Sequence, residues 1–215
     1  MLSTKSLVAA DVPPANRVRI LALLTVDMQN DFVRVGAPLE VPSAQDTVPS
    51  VRKLIHAYRQ RRRPVVYTRF LARQSPDLLW LWWPQLAPET RCRWDGFHRT
   101  YGDTQEPLDC AAVISELAPD PDDIVVDKQG YGAFHGTDLD NLLRGKGVES
   151  FLGTGPVTQI CAEETAREAF HRGYRTTMIS DDVSSFAPDL QAATLSNFGM
   201  KFGWVADTNT ALSWF

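Results

Sequence analysis

Apolar residues along this chain fall into short, nearly unbroken runs separated by longer stretches with helical spacing. The runs are Arg19–Val26, Pro64–Thr68, Asp123–Asp127, Glu149–Thr154 and Tyr174–Ser180, with Phe202–Val205 as a weaker sixth. Rich in apolar and β-branched residues and without strict alternation, they predict strands buried on both faces. Between them, Val48–Gln60, Thr137–Lys146, Thr158–His171 and Ala187–Gly199 carry apolar positions three and four apart, which predicts helices. Strand and helix in alternation imply a parallel sheet covered on both faces and built from right-handed crossovers, a doubly wound α/β fold. The expected layout is one domain over 19–215, preceded by an irregular arm at 1–18 that holds the Pro13–Pro14 pair.

Phe70 to Leu108 breaks this rhythm, being long, rich in proline and marked by Trp80, Trp82, Trp83 and Trp94. A segment of that length inside a compact domain is a lid, a binding loop or a subunit contact. Pocket wall and dimer contact stay equally open on pattern alone.

Composition narrows the function classes. The chain has 215 residues, 44% hydrophobic and 22% charged, which suits a folded core. A formal charge of −4 gives no electrostatic footprint for nucleic acid. The single basic run, Arg59, Arg61, Arg62 and Arg63, sits where a helix should end and reads as a solvated terminus. No apolar stretch approaches the roughly 20 residues that span a bilayer, and no basic-then-apolar leader opens the sequence, so a cytoplasmic location is expected. Cys92, Cys110 and Cys161 are an odd, widely spaced set without a CxxC pair, which argues against a disulfide framework or a thiolate zinc site.

In open parallel sheets, ligands bind outside the carboxyl ends of the strands, where the strand order reverses. Three reactive side chains fall on that rim. Asp27 closes the first strand, Lys128 closes the third, and Cys161 lies just past the fourth, at the start of a helix. Taken singly, an Asp there is usually a turn residue, a Lys a solvated cation and a Cys a small core residue. Together they fill the roles of acyl transfer. Thr158 as a helix cap would put Cys161 in a first turn, whose free N–H groups, with Lys128, would lower the thiol pKa. Asp27 would take the thiol proton, return it to a leaving amine and then activate water.

The segments DMQNDF (Asp27–Phe32), KQGYGAFHGTDLDNLLRGKGV (Lys128–Val148) and GTGPVTQICAEETAREAFHRGYRTTMISD (Gly153–Asp181) resemble the isochorismatase-like cysteine hydrolases. This family includes N-carbamoylsarcosine, ureidoacrylate and biuret amidohydrolases and nicotinamidase. The resemblance implies the strand order 3-2-1-4-5-6 and the triad Asp27, Lys128 and Cys161. It also implies a cis Pro156–Val157 peptide, with the Val157 and Cys161 N–H groups as an oxyanion hole, and puts Tyr131 and Phe134 near the pocket. Arg69, Gln29 and Phe32 complete the candidate substrate-binding set, and Arg73 is a further possible anchor for a carboxylate.

One departure is informative. Nicotinamidases carry an Asp-x-His and further His as a metal site after the second strand, whereas here the strand runs VVYTRFLARQ. His56, His98, His135 and His171 have no ligand spacing, so no metal or other cofactor is expected. The leading expectation is a carbon–nitrogen hydrolase acting on a small amide, ureido or carbamoyl compound. An ether hydrolase using Asp27 as acid, and a non-catalytic binding member of the fold, are the alternatives. Expected partners are a small-molecule substrate and further copies of the chain, as a dimer or tetramer, with no nucleic acid and no membrane.

Overall fold

The computed structural model describes residues 21–72 and 83–214. The expected arm at 1–18, Arg73, Trp80 and Trp82 lie outside them. Strand β1 (Leu21–Thr25) leads through the short helix α1 (Asn30–Val33) to helix α2 (Ala44–Gln60) and strand β2 (Val65–Phe70). A two-stranded antiparallel ribbon follows, β3 (His98–Arg99) with β4 (Leu108–Asp109). Strand β5 (Ile124–Lys128), helix α3 (Leu139–Gly145), strand β6 (Ser150–Pro156) and a π-helical turn (Thr158–Ala162) lead into helix α4 (Glu163–His171). Strand β7 (Arg175–Ser184), helix α5 (Pro188–Lys201), strand β8 (Trp204–Ala206) and helix α6 (Thr208–Leu212) complete the order.

Six strands form one parallel sheet in the order β5-β2-β1-β6-β7-β8. Counting only the six predicted strands, this is 3-2-1-4-5-6, with the switch point between β1 and β6. Neighbouring residues of β1 serve opposite faces, as the pleat requires. Leu21 and Leu23 pack with Val51, Leu54, Ile55 and Tyr58 of α2, while Ala22 and Leu24 pack with Leu139 and Leu143 of α3 and Ala166 and Ala169 of α4. A strand buried on both sides therefore has no polar positions to give an alternating pattern, which is why it reads as a run.

Helix α2, strand β7 and the helix expected over Thr158–His171 depart from the expected bounds. Helix α2 starts at Ala44, ahead of Val48, and carries Pro49 inside it, where the ring removes one N–H donor. Strand β7 continues past Ser180 through Asp181 and Asp182, because Asp181 Oδ1 accepts the Thr208 N–H at 2.8 Å and Asp182 Oδ2 accepts the Thr208 hydroxyl at 3.0 Å. Those bonds give an exposed acid, Asp181, and a buried one, Asp182, a place in the sheet. The helix expected over Thr158–His171 is instead a π turn followed by α4. Thr158 does not cap it: Val157 holds the cap position with no side-chain cap bond, and the Thr158 hydroxyl lies 3.4 Å from Gln191 Oε1.

Strand β6 comes unusually close to the chain leaving β1. Gly155 has φ +100°, and a Cβ there would sit 2.0 Å from the Val26 carbonyl oxygen, so the crossing requires glycine. The Pro156–Val157 peptide that follows is cis, as the resemblance implies.

Candidate active site

Asp27 leaves β1 in the left-handed region, φ +49°, a conformation that Asp tolerates better than most residues. Its backbone N–H is held by Thr68, whose carbonyl and hydroxyl oxygens lie 3.2 and 3.1 Å away. The Thr68 hydroxyl donates to Asp27 Oδ1 at 2.6 Å. That leaves Oδ2 facing Lys128 Nζ at 2.7 Å, with both side chains fully buried.

Lys128 lies on edge strand β5, and β2 separates it from β1, a lateral gap of about 10 Å at ordinary strand spacing. Its long stem crosses the end of β2 over Phe70, its register partner, with Nζ 4.4 Å from the ring centroid. The ammonium also donates to the carbonyls of Gly130 and Tyr131, at 3.0 and 2.9 Å. A solvated strand-end Lys is thus ruled out; three oxygens and an aromatic face replace its water.

Cys161 sits in the first turn after β6, across the switch point from Asp27, and is 2% exposed. Burial pushes its thiol up to about 12, the nearby Lys128 charge pulls it down, and Asp27 raises it. The pull of Lys128 expected from the sequence is present, but desolvation outweighs it and the net shift is upward.

The thiol opens into a cavity of about 280 Å³, near the lower end of small-molecule sites. Phe32, Tyr131, Val157 and Cys161, all singled out from the sequence, line it. Gln29, Arg69 and Phe134 do not. Gln29 is fully buried and clamps backbone: its Oε1 accepts the Phe70 N–H at 2.7 Å and its Nε2 donates to the Ala111 carbonyl at 2.8 Å. Arg69 forks onto Asp127 at 2.7 and 2.8 Å and reaches Asp95 at 3.0 Å. Phe134 packs on Tyr174 in the core of the opposite face. Arg69 was read from its place at a strand end and Phe134 from the family resemblance, and neither says to which face a side chain turns.

Other contributors carry weaker sequence signals. Glu40, Leu39 and Val41 come from the loop before α2, Phe186 from the loop after β7, and Trp83, Gln85 and Leu86 from the Trp-rich segment, whose described part thus forms pocket wall. Asp31 is fully buried and gathers that segment. It accepts from the Arg93 N–H at 2.8 Å and the Tyr101 hydroxyl at 2.8 Å, and pairs with Arg99 at 3.2 Å. An acid between Asn30 and Phe32 resembles any turn residue, so no sequence signal distinguished it.

Among the described residues no group of three or more His, Cys, Asp or Glu side chains is arranged to hold a metal ion. All four His are exposed. Cys92, Cys110 and Cys161 are free thiols. No described helix is long and apolar enough to cross a membrane.

With this geometry in view, the comparisons with known proteins are informative. The sequence model of the isochorismatase domain matches residues 21–210. The chain belongs to the isochorismatase family. Among relatives, the ureidoacrylate amidohydrolase RutB of Rhizobium rhizogenes is 30% identical over 199 residues, covering 87% of this chain and 80% of its own. A cysteine hydrolase from Pseudomonas syringae pv. phaseolicola superposes with a TM-score of 0.83 at 28% identity, covering 100% of this chain and 98% of the other. N-carbamoylsarcosine amidase from Thermoplasma acidophilum gives a TM-score of 0.69 at 30% identity, over 89% and 98%. This isochorismatase-family chain is a hydrolase.

Proposed function

We infer that this hydrolase cleaves the carbon–nitrogen bond of a small amide, ureido or carbamoyl compound through a thioacyl intermediate on Cys161. The observation that carries the reading is a buried Cys161 that lines a cavity across the switch point from the buried Asp27–Lys128 ion pair. Relatives named for ureidoacrylate and N-carbamoylsarcosine support the same bond class.

A thiol with a pKa near 12 is a poor nucleophile until its proton leaves, so Asp27 accepts the proton as sulfur attacks the carbonyl carbon. Lys128, 2.7 Å from Asp27 Oδ2, lowers the cost of negative charge around the sulfur. Charge building on the carbonyl oxygen meets the Val157 and Cys161 N–H groups, residues that both line the cavity. Protonated Asp27 then gives its proton to the departing nitrogen, and the C–N bond breaks to leave a thioester. In the second half Asp27 takes a proton from water, whose oxygen displaces Cys161 as a thiol.

Cys161→Ala tests the reading. Ammonia release over a panel of amides and ureido compounds should fall by roughly ten-thousandfold or more, with thermal unfolding little changed. Intact-mass spectrometry of the wild type should catch the acyl adduct on Cys161. Activity above about a hundredth of wild type in the alanine variant overturns nucleophilic catalysis.

A further inference from the structure

The geometry points to an uncharged substrate: the chamber above Cys161 selects amides bearing an apolar or aromatic group and rejects their carboxylated congeners. This rests on the cysteine-hydrolase reading and narrows its substrate class.

Of the fourteen described residues that line the cavity, none is Lys or Arg, and the one carboxylate is Glu40. Two cations do lie near by, but Phe70 stands as wall to the cavity and as partner to both. Lys128 Nζ is 4.4 Å and the Arg93 guanidinium carbon 3.7 Å from its ring centroid. Both are buried and committed elsewhere, Lys128 to Asp27 and two carbonyls, Arg93 to the Leu71 carbonyl at 3.2 Å. Their charge bears on Cys161, whose thiol pKa both lower, but neither side chain is among the described residues that line the chamber, where an anion would need a donor.

Glu40, whose Oε2 accepts the Gly36 N–H at 2.7 Å, belongs to the cavity lining, so the one formal charge among the described lining residues is negative. The remaining surface is built mainly from Phe32, Trp83, Leu86, Ile160 and Phe186. A carboxylate entering such a space gives up its water, finds no described cation and meets a like charge; a phenyl or alkyl group gives up nothing and buries its surface.

The test uses matched electrophiles, so that it does not depend on turnover. N-benzyl-2-chloroacetamide and its para-carboxylate analogue are compared for saturable alkylation of Cys161 in the full chain, mapped by mass spectrometry. The neutral compound should react roughly a hundredfold faster or more at low concentration, a ratio set by burying an unpaired charge. Glu40→Gln should narrow that ratio several-fold. Equal or faster alkylation by the carboxylate overturns the proposal, as does no alkylation of Cys161 by either compound; an unchanged ratio in Glu40→Gln overturns the part given to Glu40. Release of benzylamine, or of its para-carboxylate, from the corresponding N-benzylacetamides separates the two readings. Selective alkylation without release refutes the hydrolase mechanism and leaves the selectivity standing, whereas release that favours the acids refutes the selectivity and leaves the mechanism standing.

Discussion

Lys128→Met removes the one charge that the buried Asp27 carboxylate faces, while keeping approximately the length and volume of the side chain. In the native site Nζ lies 2.7 Å from Asp27 Oδ2, with neither side chain exposed. Asp27 then retains the Thr68 hydroxyl as a donor, and the carbonyls of Gly130 and Tyr131 lose the ammonium. Removing one partner of a buried pair costs about 3–5 kcal/mol, because the other charge stays behind without water. At a urea slope of about 2 kcal/mol per molar, the midpoint should fall by about 2 M. Asp27→Asn combined with Lys128→Met leaves no lone charge, and should recover most of that loss, a coupling that a double-mutant cycle reads directly. Tryptophan fluorescence during equilibrium unfolding supplies the assay. The single variant should also alkylate more slowly at every pH, since Lys128 pulls the thiol pKa down. A single variant that loses less than about 1 kcal/mol, or a double variant as unstable as the single one, would refute the account of a mutually dependent pair.

The protonated resting thiol predicts a pH profile: with burial pushing Cys161 up to about 12, iodoacetamide alkylation should climb through pH 10 without levelling, and a plateau below pH 9 would mean a preformed thiolate. The same shift costs stability at high pH, because the unfolded chain releases a thiol proton near pH 9 that the fold retains; Cys110, also pushed up to about 12, adds to the fall above pH 9. Burial likewise pushes the Asp182 carboxyl up to about 6, so the fold holds a proton that the unfolded chain releases near pH 4. Stability should therefore drop by up to about 3 kcal/mol between pH 4 and 6, a slope that Asp182→Asn removes; an Asn variant with the wild-type slope would contradict this. Gly155→Ala should lose several kcal/mol of stability and most activity, since its methyl would press on the Val26 carbonyl beside Asp27; wild-type unfolding and turnover would show that the strands can part there.

The six sheet strands were legible because burial on both faces forces an apolar run, and the rim residues Asp27, Lys128 and Cys161 because strand ends are where such sheets place chemistry. Short elements were not. Helix α1 depends on bonds from Asn30 and Asp31 N–H groups to the Ala112 and Cys110 carbonyls, about 80 residues away, so nothing in its own four residues announces it. The π turn replaces a hydroxyl cap with tertiary packing, which leaves Thr158 looking like a cap it does not form. Gln29, Arg69 and Phe134 show the limit of reading a site from position or resemblance: the partners that claim them, backbone for Gln29, Asp127 for Arg69 and Tyr174 for Phe134, are visible only in three dimensions. The thiol's protonation escaped for a related reason, since depth of burial decides between the cation and desolvation.

Lys128 occupies the outermost strand of the sheet, where half of the backbone has no neighbouring strand, yet its tip must stay aligned with a thiol three strands away. The loop that carries its two carbonyl acceptors is tied to α4 by Thr165 Oγ1, which accepts the Ala133 N–H at 3.0 Å, and by Glu168 Oε2, which accepts the Phe134 N–H at 2.9 Å. Gly132 completes the join, since any side chain there would collide with the Glu168 carboxylate. The helix that continues from Cys161 is thus also the ruler from which the cation is measured. Fraying of the sheet's edge would leave the two reacting ends in step, while a change at Glu168, remote from every reacting atom, would enter the chemistry as an error of alignment.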